Sequence, residues 1–531
     1  MNGIATGALI VIAGLTLAPP AWGAAAPSNG TNPAESVRDD TAAIAVNGEP
    51  FRVEFAVTAE AVPSGVLYVG NDTTPGYVAV PLRVGESAWD GPALLGQVPA
   101  FVVHGQRLRY YAVFRAPGTG QTATVPAAGA AGPRQVWVVA TPVEVRLGRH
   151  RFGALTAADA VVARVGADGV GWEQPSEGAW SGPSSFEIAA DGGVWLLDDL
   201  NKRLLGWQPG RPDRPAGAVP LPVFPADFAL GPNGTFYLTG PGTPAEKTMV
   251  LYSITADGRV RWRVLLATDL FNGQLRMGPD GVLYDVVPDG WIPVTTAAGT
   301  PLSVGEQRRL TQPDQPVPGG GRLVVTYVSR RDARIAVLDA TGKPVRAWRV
   351  TSATDMAGPG AALPALADGD PVLPLDVFED APTWKLEQLA LRLTASGAPV
   401  RLNLDNAIWG DQPTTEYRVG PDGAFYQLQT SRTTGVKIVR YGLGTLPPAP
   451  APTGATAVAT SPGSAEPAAT ATATAAPPSA GVGARPPSPP HRSWSGLTWA
   501  GGIGLTVVAA LGSALLVWQR RRHHPPSPSG T

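Results

Sequence analysis

One phrase recurs along the middle of this sequence: an apolar run, a tight turn built on Gly, and a second apolar run. The turns fall at Asp191, Asn233, Asp280 and Asp422, with weaker copies near Gly320 and at Asp368. Asp-Gly or Asn-Gly between alternating apolar residues is the strongest short-range signal for a β-hairpin. Successive turns are 40 to 54 residues apart, and a second hairpin follows most of them. Six units of four short strands predict a six-bladed β-propeller over residues 182–446.

The first of these units resembles a blade of the NHL-type propellers. The matching stretch runs from Gly182 to Trp207 and contains Asp198, Asn201 and Arg203, similar to the "GP…DG…V.D..N.RI" phrase of those blades. We interpret these three polar residues as hydrogen-bonding groups that fix the turn. The resemblance implies a fold and no particular activity, because propellers host many functions. A seventh blade built from residues 140–180, with the strand Gln135–Ala140, is the alternative.

A second β region precedes the predicted propeller. Alternating apolar and polar residues occur at 51–57, 66–69, 77–84 and 108–114, separated by Gly, Pro, Asn and Asp. Short strands at this spacing are typical of an antiparallel sandwich similar to Ig or fibronectin modules. We therefore predict a sandwich over residues 45–140, a flexible segment over 24–44 before it, and a connector over 141–181 after it.

The two ends of the sequence indicate export and anchoring in a membrane. Residues 1–23 contain a short apolar run followed by small residues, which is typical of a secretory signal peptide. Residues 447–493 are almost wholly Pro, Ala, Thr, Ser and Gly, a composition that predicts a disordered stalk.

Residues 494–518 then form the predicted transmembrane helix, since their apolar length matches a bilayer. Three tryptophans lie near its borders and three arginines follow it: Trp494, Trp499, Trp518, Arg520, Arg521 and Arg522. Tryptophan suits the membrane interface, and arginine marks the cytoplasmic side. The tail 519–531 is therefore expected in the cytoplasm, which makes the chain a single-pass type I protein with its bulk outside the cell.

Composition removes several classes of function. The chain has 531 residues and no cysteine, so disulfides and thiolate metal sites are excluded. Lys and Arg number 41 against 42 for Asp and Glu, a balance that gives no reason to expect nucleic acid as a partner. Only five histidines are present, which leaves little scope for histidine-dependent catalysis. A catalytic set is therefore not predicted.

Aligning the repeats on their turns identifies candidate residues at the mouth of the propeller channel. The position six residues before each turn holds Ser185, Asp227, Gln274, Asp314, Ala362 and Glu416. The alignment is uncertain for Asp314 and Ala362, so the predicted ligand or metal site consists of Ser185, Asp227, Gln274 and Glu416. Propellers similar to gluconolactonases hold a divalent metal in this channel, and Ca²⁺ prefers such oxygen ligands. The plainer interpretation is a solvated channel mouth without a cofactor.

These observations lead to two hypotheses of different classes. The first is a membrane-anchored surface protein that binds a protein or polysaccharide outside the cell without catalysis. The second is a membrane-anchored, metal-dependent hydrolase or lactonase that uses the acidic channel residues.

Overall fold

The computed structural model describes most of the region between residues 32 and 444. The described residues are 32–58, 62–88, 91–166, 169–171, 182–243, 246, 248–268, 273–287, 290–358, 369–379, 385–405, 415–431 and 435–444. They form two compact units. The first comprises the described residues within Met1–Pro142 together with Val325–Ala336 and Lys343–Arg349, and the second comprises the described residues within Val143–Val324, Val337–Gly342 and Val350–Thr531.

The first unit is built on ten strands and two short 3-10 turns at Ala100–Val102 and Gly129–Ala131. The strands are β1 (Val37–Asp39), β2 (Ile44–Val46), β3 (Phe51–Val57), β4 (Ser64–Asn71), β5 (Val78–Pro81), β6 (Arg83–Glu86), β7 (Pro92–Val98), β8 (Arg107–Arg115), β9 (Thr122–Val125) and β10 (Arg134–Val139). One sheet has the order β1-β3-β7-β6. The other has the order β2-β10-β8-β4-β5, with β9 added beside β8.

The inner faces of these two sheets share one apolar core. In β8 the residues alternate between buried and half-buried along the whole strand, as expected for a strand with one face in a core. Phe55 from one sheet meets Phe114 from the other edge to face, with ring centroids 5.0 Å apart. The arrangement is a β-sandwich, and its first strand begins at Val37, before the predicted start at residue 45.

The rest of the described chain is a succession of small antiparallel sheets. Its strands are β11 (Val143–Arg146), β12 (Ala160–Val165), β13 (Ser185–Ile188), β14 (Val194–Asp198), β15 (Arg203–Trp207), β16 (Gly217–Pro220), β17 (Asp227–Leu230), β18 (Phe236–Pro241), β19 (Met249–Ile254), β20 (Val260–Leu265), β21 (Gln274–Met277), β22 (Leu283–Val287), β23 (Gly290–Pro293), β24 (Gln315–Val317), β25 (Gly321–Ser329), β26 (Asp332–Leu338), β27 (Pro344–Thr351), β28 (Asp355–Ala357), β29 (Val372–Glu379), β30 (Lys385–Arg392), β31 (Val400–Leu404), β32 (Tyr417–Val419), β33 (Phe425–Ser431) and β34 (Gly435–Tyr441). One α-helix, α1, spans Val304–Leu310, and 3-10 turns lie at Pro232–Gly234 and Pro318–Gly320.

Six sheets follow one another along this part of the chain. Sheet 1 is β13-β14-β15-β16, sheet 2 is β17-β18-β19-β20, sheet 3 is β21-β22-β23, sheet 4 is β11-β27-β26-β25-β24, sheet 5 is β28-β29-β30-β31 and sheet 6 is β12-β34-β33-β32. Most residues of β25, β26 and β27 belong to the first unit. The hairpin turns at Asp191, Asn233, Asp280 and Asp422 lie where the repeats predict them, while Asp368 lies outside the described residues. The glycines after Asp191 and Asp280 have φ of 82° and 77°. Only glycine adopts that left-handed conformation without strain.

The edge strands β32, β13, β17 and β21 are neighbours in space. Strand β13 contacts both β17 and β32, and β17 contacts β21. The backbone N–H of Thr415, just before β32, donates to the carbonyl of Ser184, just before β13, at 3.0 Å. Sheets 6, 1, 2 and 3 thus meet through one edge strand each, as the blades of a β-propeller do around its axis.

The predicted connector, 141–181, differs from the expectation because it contributes strands to two sheets. Strand β11 lies at the edge of sheet 4, and β12 pairs antiparallel with β34 in sheet 6. The alternative of a seventh blade is not seen in the described residues, since β10 belongs to the sandwich. Strand β12 joins sheet 6 because an edge strand has unpaired backbone groups, with which an extended segment from earlier in the chain can form hydrogen bonds.

Sheet 3 departs from the predicted four strands, since three are present in the described part of the chain. Helix α1 follows β23 and contacts it. The Ser303 hydroxyl accepts the backbone N–H of Glu306, whose carboxylate in turn accepts the N–H of Ser303. This capping box stabilises a helix start, so the local sequence favours a helical turn where the other sheets place a fourth strand.

The segments predicted at the two ends lie outside the described residues. These are the signal peptide, the stalk, and the helix with its flanking Trp and Arg residues. Among the residues that the structure describes, no helix is both long enough and apolar enough to cross a membrane.

Candidate functional site

The predicted channel residues occupy equivalent places in their sheets. Ser185, Asp227 and Gln274 are the first residues of β13, β17 and β21, and Glu416 directly precedes β32. The alignment on the turns locates them because the two arms of these hairpins are of similar length. Asp314 likewise precedes β24, where its carboxylate lies 4.0 Å from Arg322. Ala362 lies outside the described residues.

Asp227 connects neighbouring sheets instead of facing solvent. Its side chain is fully buried, and Oδ2 accepts the backbone N–H of Leu275, on β21, at 2.7 Å. Burial raises the pKa of this carboxyl, while Arg276, Arg418 and the nearby Ser185 hydroxyl act to lower it. Asp227 therefore helps to hold sheet 3 against sheet 2.

A second row of charged residues lies two positions further along the same strands. Because residues two apart on a strand project to the same side, Glu187, Arg276 and Arg418 follow Ser185, Gln274 and Glu416. An Arg418 Nη2 donates to Glu187 Oε1 at 2.5 Å and to Thr415 Oγ1 at 3.3 Å. Arg276 Nη1 donates to the same Thr415 hydroxyl at 3.0 Å.

This second row was missed at the sequence level. The alternation of side chains along a strand predicts this row, since each of its residues lies four positions before a turn. The structure thereby adds a pair of arginines to a site for which the sequence had suggested acidic and neutral groups.

Arg276 differs from the other arginines of this site in the nature of its partners. Its guanidinium donates to the carbonyl of Leu275 at 3.0 Å, to Gln274 Oε1 at 2.6 Å and to Thr415 Oγ1. All three acceptors are neutral, and no carboxylate of the described chain lies within ion-pair distance. Burial, and then the positive charge of Arg418, lower the pKa of Arg276 to about 9, so it remains a cation at neutral pH. Its side chain is only half-buried.

The surroundings of Glu416 differ from those of Asp227. Its carboxyl interacts with Tyr417, with Gln388 on β30 and with Gln427 on β33, and it lies near Asp376 on β29. Gln427 Nε2 in turn donates to Gln388 Oε1 at 3.0 Å. Burial is the main cause that raises the pKa of Glu416 to about 7, and the charge of Asp376 adds to it.

The four residues of the predicted ligand or metal set therefore fall into two groups. Ser185, Asp227 and Gln274 lie with Arg276 at sheets 1 to 3, whereas the Glu416 carboxyl interacts with side chains of sheets 5 and 6. Within the part of the chain that is described, no three His, Asp or Glu side chains are grouped so as to hold a metal ion.

The two histidines of the described region are held in polar networks. The ring of His150 is buried between Glu387 Oε2, 2.7 Å from Nε2, and an Arg401 Nη2, 2.6 Å from Nδ1. His104 Nε2 lies 3.1 Å from Asn71 Nδ2. Within the described chain neither ring is hydrogen-bonded to a serine, so neither belongs to a Ser-His-Asp arrangement.

The polar phrase of the first blade has the structural role that we expected. Asp198 is fully buried and accepts from Asn201 Nδ2 at 2.9 Å and from Arg203 Nε at 2.8 Å. The backbone N–H of Gly171 also donates to its Oδ1 at 2.8 Å. These bonds fix the turn between β14 and β15.

No known protein family matches the sequence, and no curated protein does. Several solved structures match the chain at low identity. Virginiamycin B lyase from Staphylococcus aureus matches with 13% identity and a TM-score of 0.26, over 74% of this chain and 100% of its own. A eukaryotic initiation factor matches with 11% identity and a TM-score of 0.23, over 70% and 90%. A puromycin hydrolase matches with 15% identity and a TM-score of 0.21, over 74% and 58%.

These proteins have different activities, and at such identities and TM-scores none of those activities extends to this chain. The sheets and their edge-strand contacts give the architecture by themselves.

Proposed function

We propose that this chain is a membrane-anchored surface protein that acts as a non-catalytic binding module outside the cell. In this proposal an N-terminal sandwich precedes a six-bladed propeller, and a stalk joins the propeller to a transmembrane helix over residues 494–518. The ligand is a protein or a polysaccharide that presents an anionic group to the polar site at sheets 6, 1 and 3. Nucleic acid is not expected as the natural partner.

The state of Arg276 is the observation that carries the proposal. Among the described residues the Arg276 guanidinium has only neutral hydrogen-bond acceptors and lies next to a second arginine, and the carboxyl groups of Asp227 and Glu187 act on its charge without forming an ion pair with it. A carboxylate or sulfate on a ligand would form that ion pair through charge-assisted hydrogen bonds, which are about twice as strong as neutral ones. Arg418, by contrast, is already paired with Glu187.

The binding proposal is tested with the full chain in detergent and three polymers: polygalacturonate, poly-L-glutamate and neutral dextran. We expect one of the two polyanions to bind and dextran not to bind. Arg276→Gln should weaken that binding by about tenfold, which corresponds to ~1.4 kcal/mol. Arg263→Gln is the matched control, because Arg263 pairs with Glu246 at 2.9 Å on the outer strand of sheet 2. Binding that is absent for both polyanions, or unchanged in Arg276→Gln, would refute the proposal.

Anchoring is a separate proposal and has a separate test. It rests on the apolar length of residues 494–518 and on Arg520, Arg521 and Arg522 after it. Expressed in cells, the full chain should sediment with membranes and resist extraction by high salt. Removal of residues 494–531 should release it into the soluble fraction, and a full chain that is washed from membranes by salt would contradict the proposal.

The alternative of a metal-dependent hydrolase or lactonase finds no specific observation in its favour. It requires Asp227 and Glu416 to act on one substrate, and their carboxyl groups have different neighbours. We therefore keep the binding module as the proposed function.

A further inference from the structure

Three buried polar side chains come together where sheets 1, 2 and 3 meet. Ser185 and Asp227 are 0% exposed and Asp285, on β22, is 1% exposed. The Ser185 hydroxyl lies near Asp227 and lowers the pKa of its carboxyl. The charge of Asp227 in turn raises the pKa of Asp285. Each of the three consecutive sheets thus contributes one oxygen-bearing side chain to the same buried place.

Four oxygen atoms of this group lack a hydrogen-bond partner. They are Ser185 Oγ, Asp227 Oδ1 and both carboxylate oxygens of Asp285. In the described structure only Asp227 Oδ2 is satisfied, by the Leu275 N–H. Buried polar atoms are nearly always paired, and an unpaired buried carboxylate is among the most costly groups that a folded protein contains. Four such atoms at one place therefore indicate a missing partner.

The charge of the group favours a cation as that partner. Asp285 has a raised pKa of about 7, caused by burial and then by the negative charge of Asp227. The arginines of the channel row act on Asp227 but do not contribute to the environment of Asp285. The side of the pair nearest Asp285 is therefore the one without a compensating positive charge.

The Asp285 carboxylate lies directly against the backbone of Gly273. A Cβ atom at residue 273 would collide with Asp285 Oδ1, so only glycine there allows the carboxylate its position. Carboxylate and hydroxyl oxygens are ligands of hard cations, and Ca²⁺ accepts irregular sets of six to eight oxygens that include water.

We propose that Ser185, Asp227 and Asp285 form a buried Ca²⁺ site that joins sheets 1, 2 and 3 of the propeller. The site differs from the channel set predicted from the sequence, because Gln274 and Glu416 are not part of it and Asp285 is. It does not depend on the proposed binding function, since its role is to hold three neighbouring sheets together.

The test uses the full chain in detergent, stripped of metal with a chelator. Titration with Ca²⁺ should show saturable binding at this site and a rise in melting temperature. Asp285→Asn should abolish both effects. Asp213→Asn is the matched control, since Asp213 is exposed in the turn between β15 and β16, and it should keep both.

Ser185→Ala provides a second measurement that does not depend on the folding of the Asp285 variant. Loss of one hydroxyl ligand should weaken the Ca²⁺ affinity about tenfold while the metal-free chain melts as before. Two results would overturn the proposal. One is a chain whose melting temperature is the same with and without Ca²⁺, which would mean that a proton alone satisfies the carboxylates. The other is a Ca²⁺ effect that persists in Asp285→Asn.

Discussion

Glu416 couples the stability of the propeller to pH. Its pKa is raised from 4.5 to about 7, so the folded protein binds a proton that the unfolded chain releases between these two values. Stability from this group is therefore fully present below about pH 4.5 and is lost as pH rises through 7. The other groups that face it, Asp376, Tyr417, Gln388 and Gln427, add no positive charge that would reverse this direction.

The magnitude follows from the size of the shift. One pKa unit corresponds to 1.36 kcal/mol, so a shift of roughly 2.5 units gives about 3 kcal/mol as an upper value for the loss between pH 4.5 and 8. Glu416→Gln removes the titration and keeps a side chain of similar shape. We expect the variant to be more stable than the parent chain at pH 8 and about as stable at pH 5. For a large domain, 3 kcal/mol corresponds to a melting-temperature difference of about 6 °C.

The assay is thermal unfolding of the full chain in steps from pH 5 to pH 8, followed by far-UV circular dichroism. Glu86→Gln is the control, because Glu86 is exposed on β6 of the sandwich and its replacement should leave the pH profile unchanged. If Glu416→Gln melts at the parent temperature at pH 8, the buried carboxyl is not charged there and the reasoning fails.

Three further predictions concern packing in sheets 1 and 2, each measured as a change in the free energy of unfolding. Phe228→Ala removes a fully buried ring and should cost about 3–5 kcal/mol. Gly206→Ala places a Cβ 2.8 Å from the Trp195 ring and should cost about 1–3 kcal/mol through overpacking. Arg203→Ala leaves the buried Asp198 carboxylate without its charged partner and should cost about 2 kcal/mol. Values near zero at these positions would contradict the packing described.

The sequence predicts those parts of the fold that repeat. Asp191-Gly192 and Asp280-Gly281 predict their hairpins, because a glycine in the left-handed conformation between two apolar runs is typical of a tight hairpin turn. The channel positions follow from the same repeat, and for this reason the repeat alone places Ser185, Asp227 and Gln274 at strand starts.

The parts that sequence reasoning missed depend on pairing between distant segments. Strand β11 is four residues long and has no neighbouring partner in the chain, so nothing local marks it as part of a sheet. Asp285 interrupts the apolar run from Val282 to Val287, and a charged residue in such a run is a signal in itself. Its meaning depends on the approach of Asp227 from another sheet, which a single sequence does not reveal.

The pairing of β12 with β34 has a consequence for how the protein is made. Val165 lies opposite Val436, so the partner of β12 leaves the ribosome only after the other sheets have been synthesised. During that interval β12 and the open edge of the growing propeller both expose unpaired backbone groups, a state prone to wrong association. We therefore expect β12 to be the segment most prone to wrong association until β34 has been synthesised.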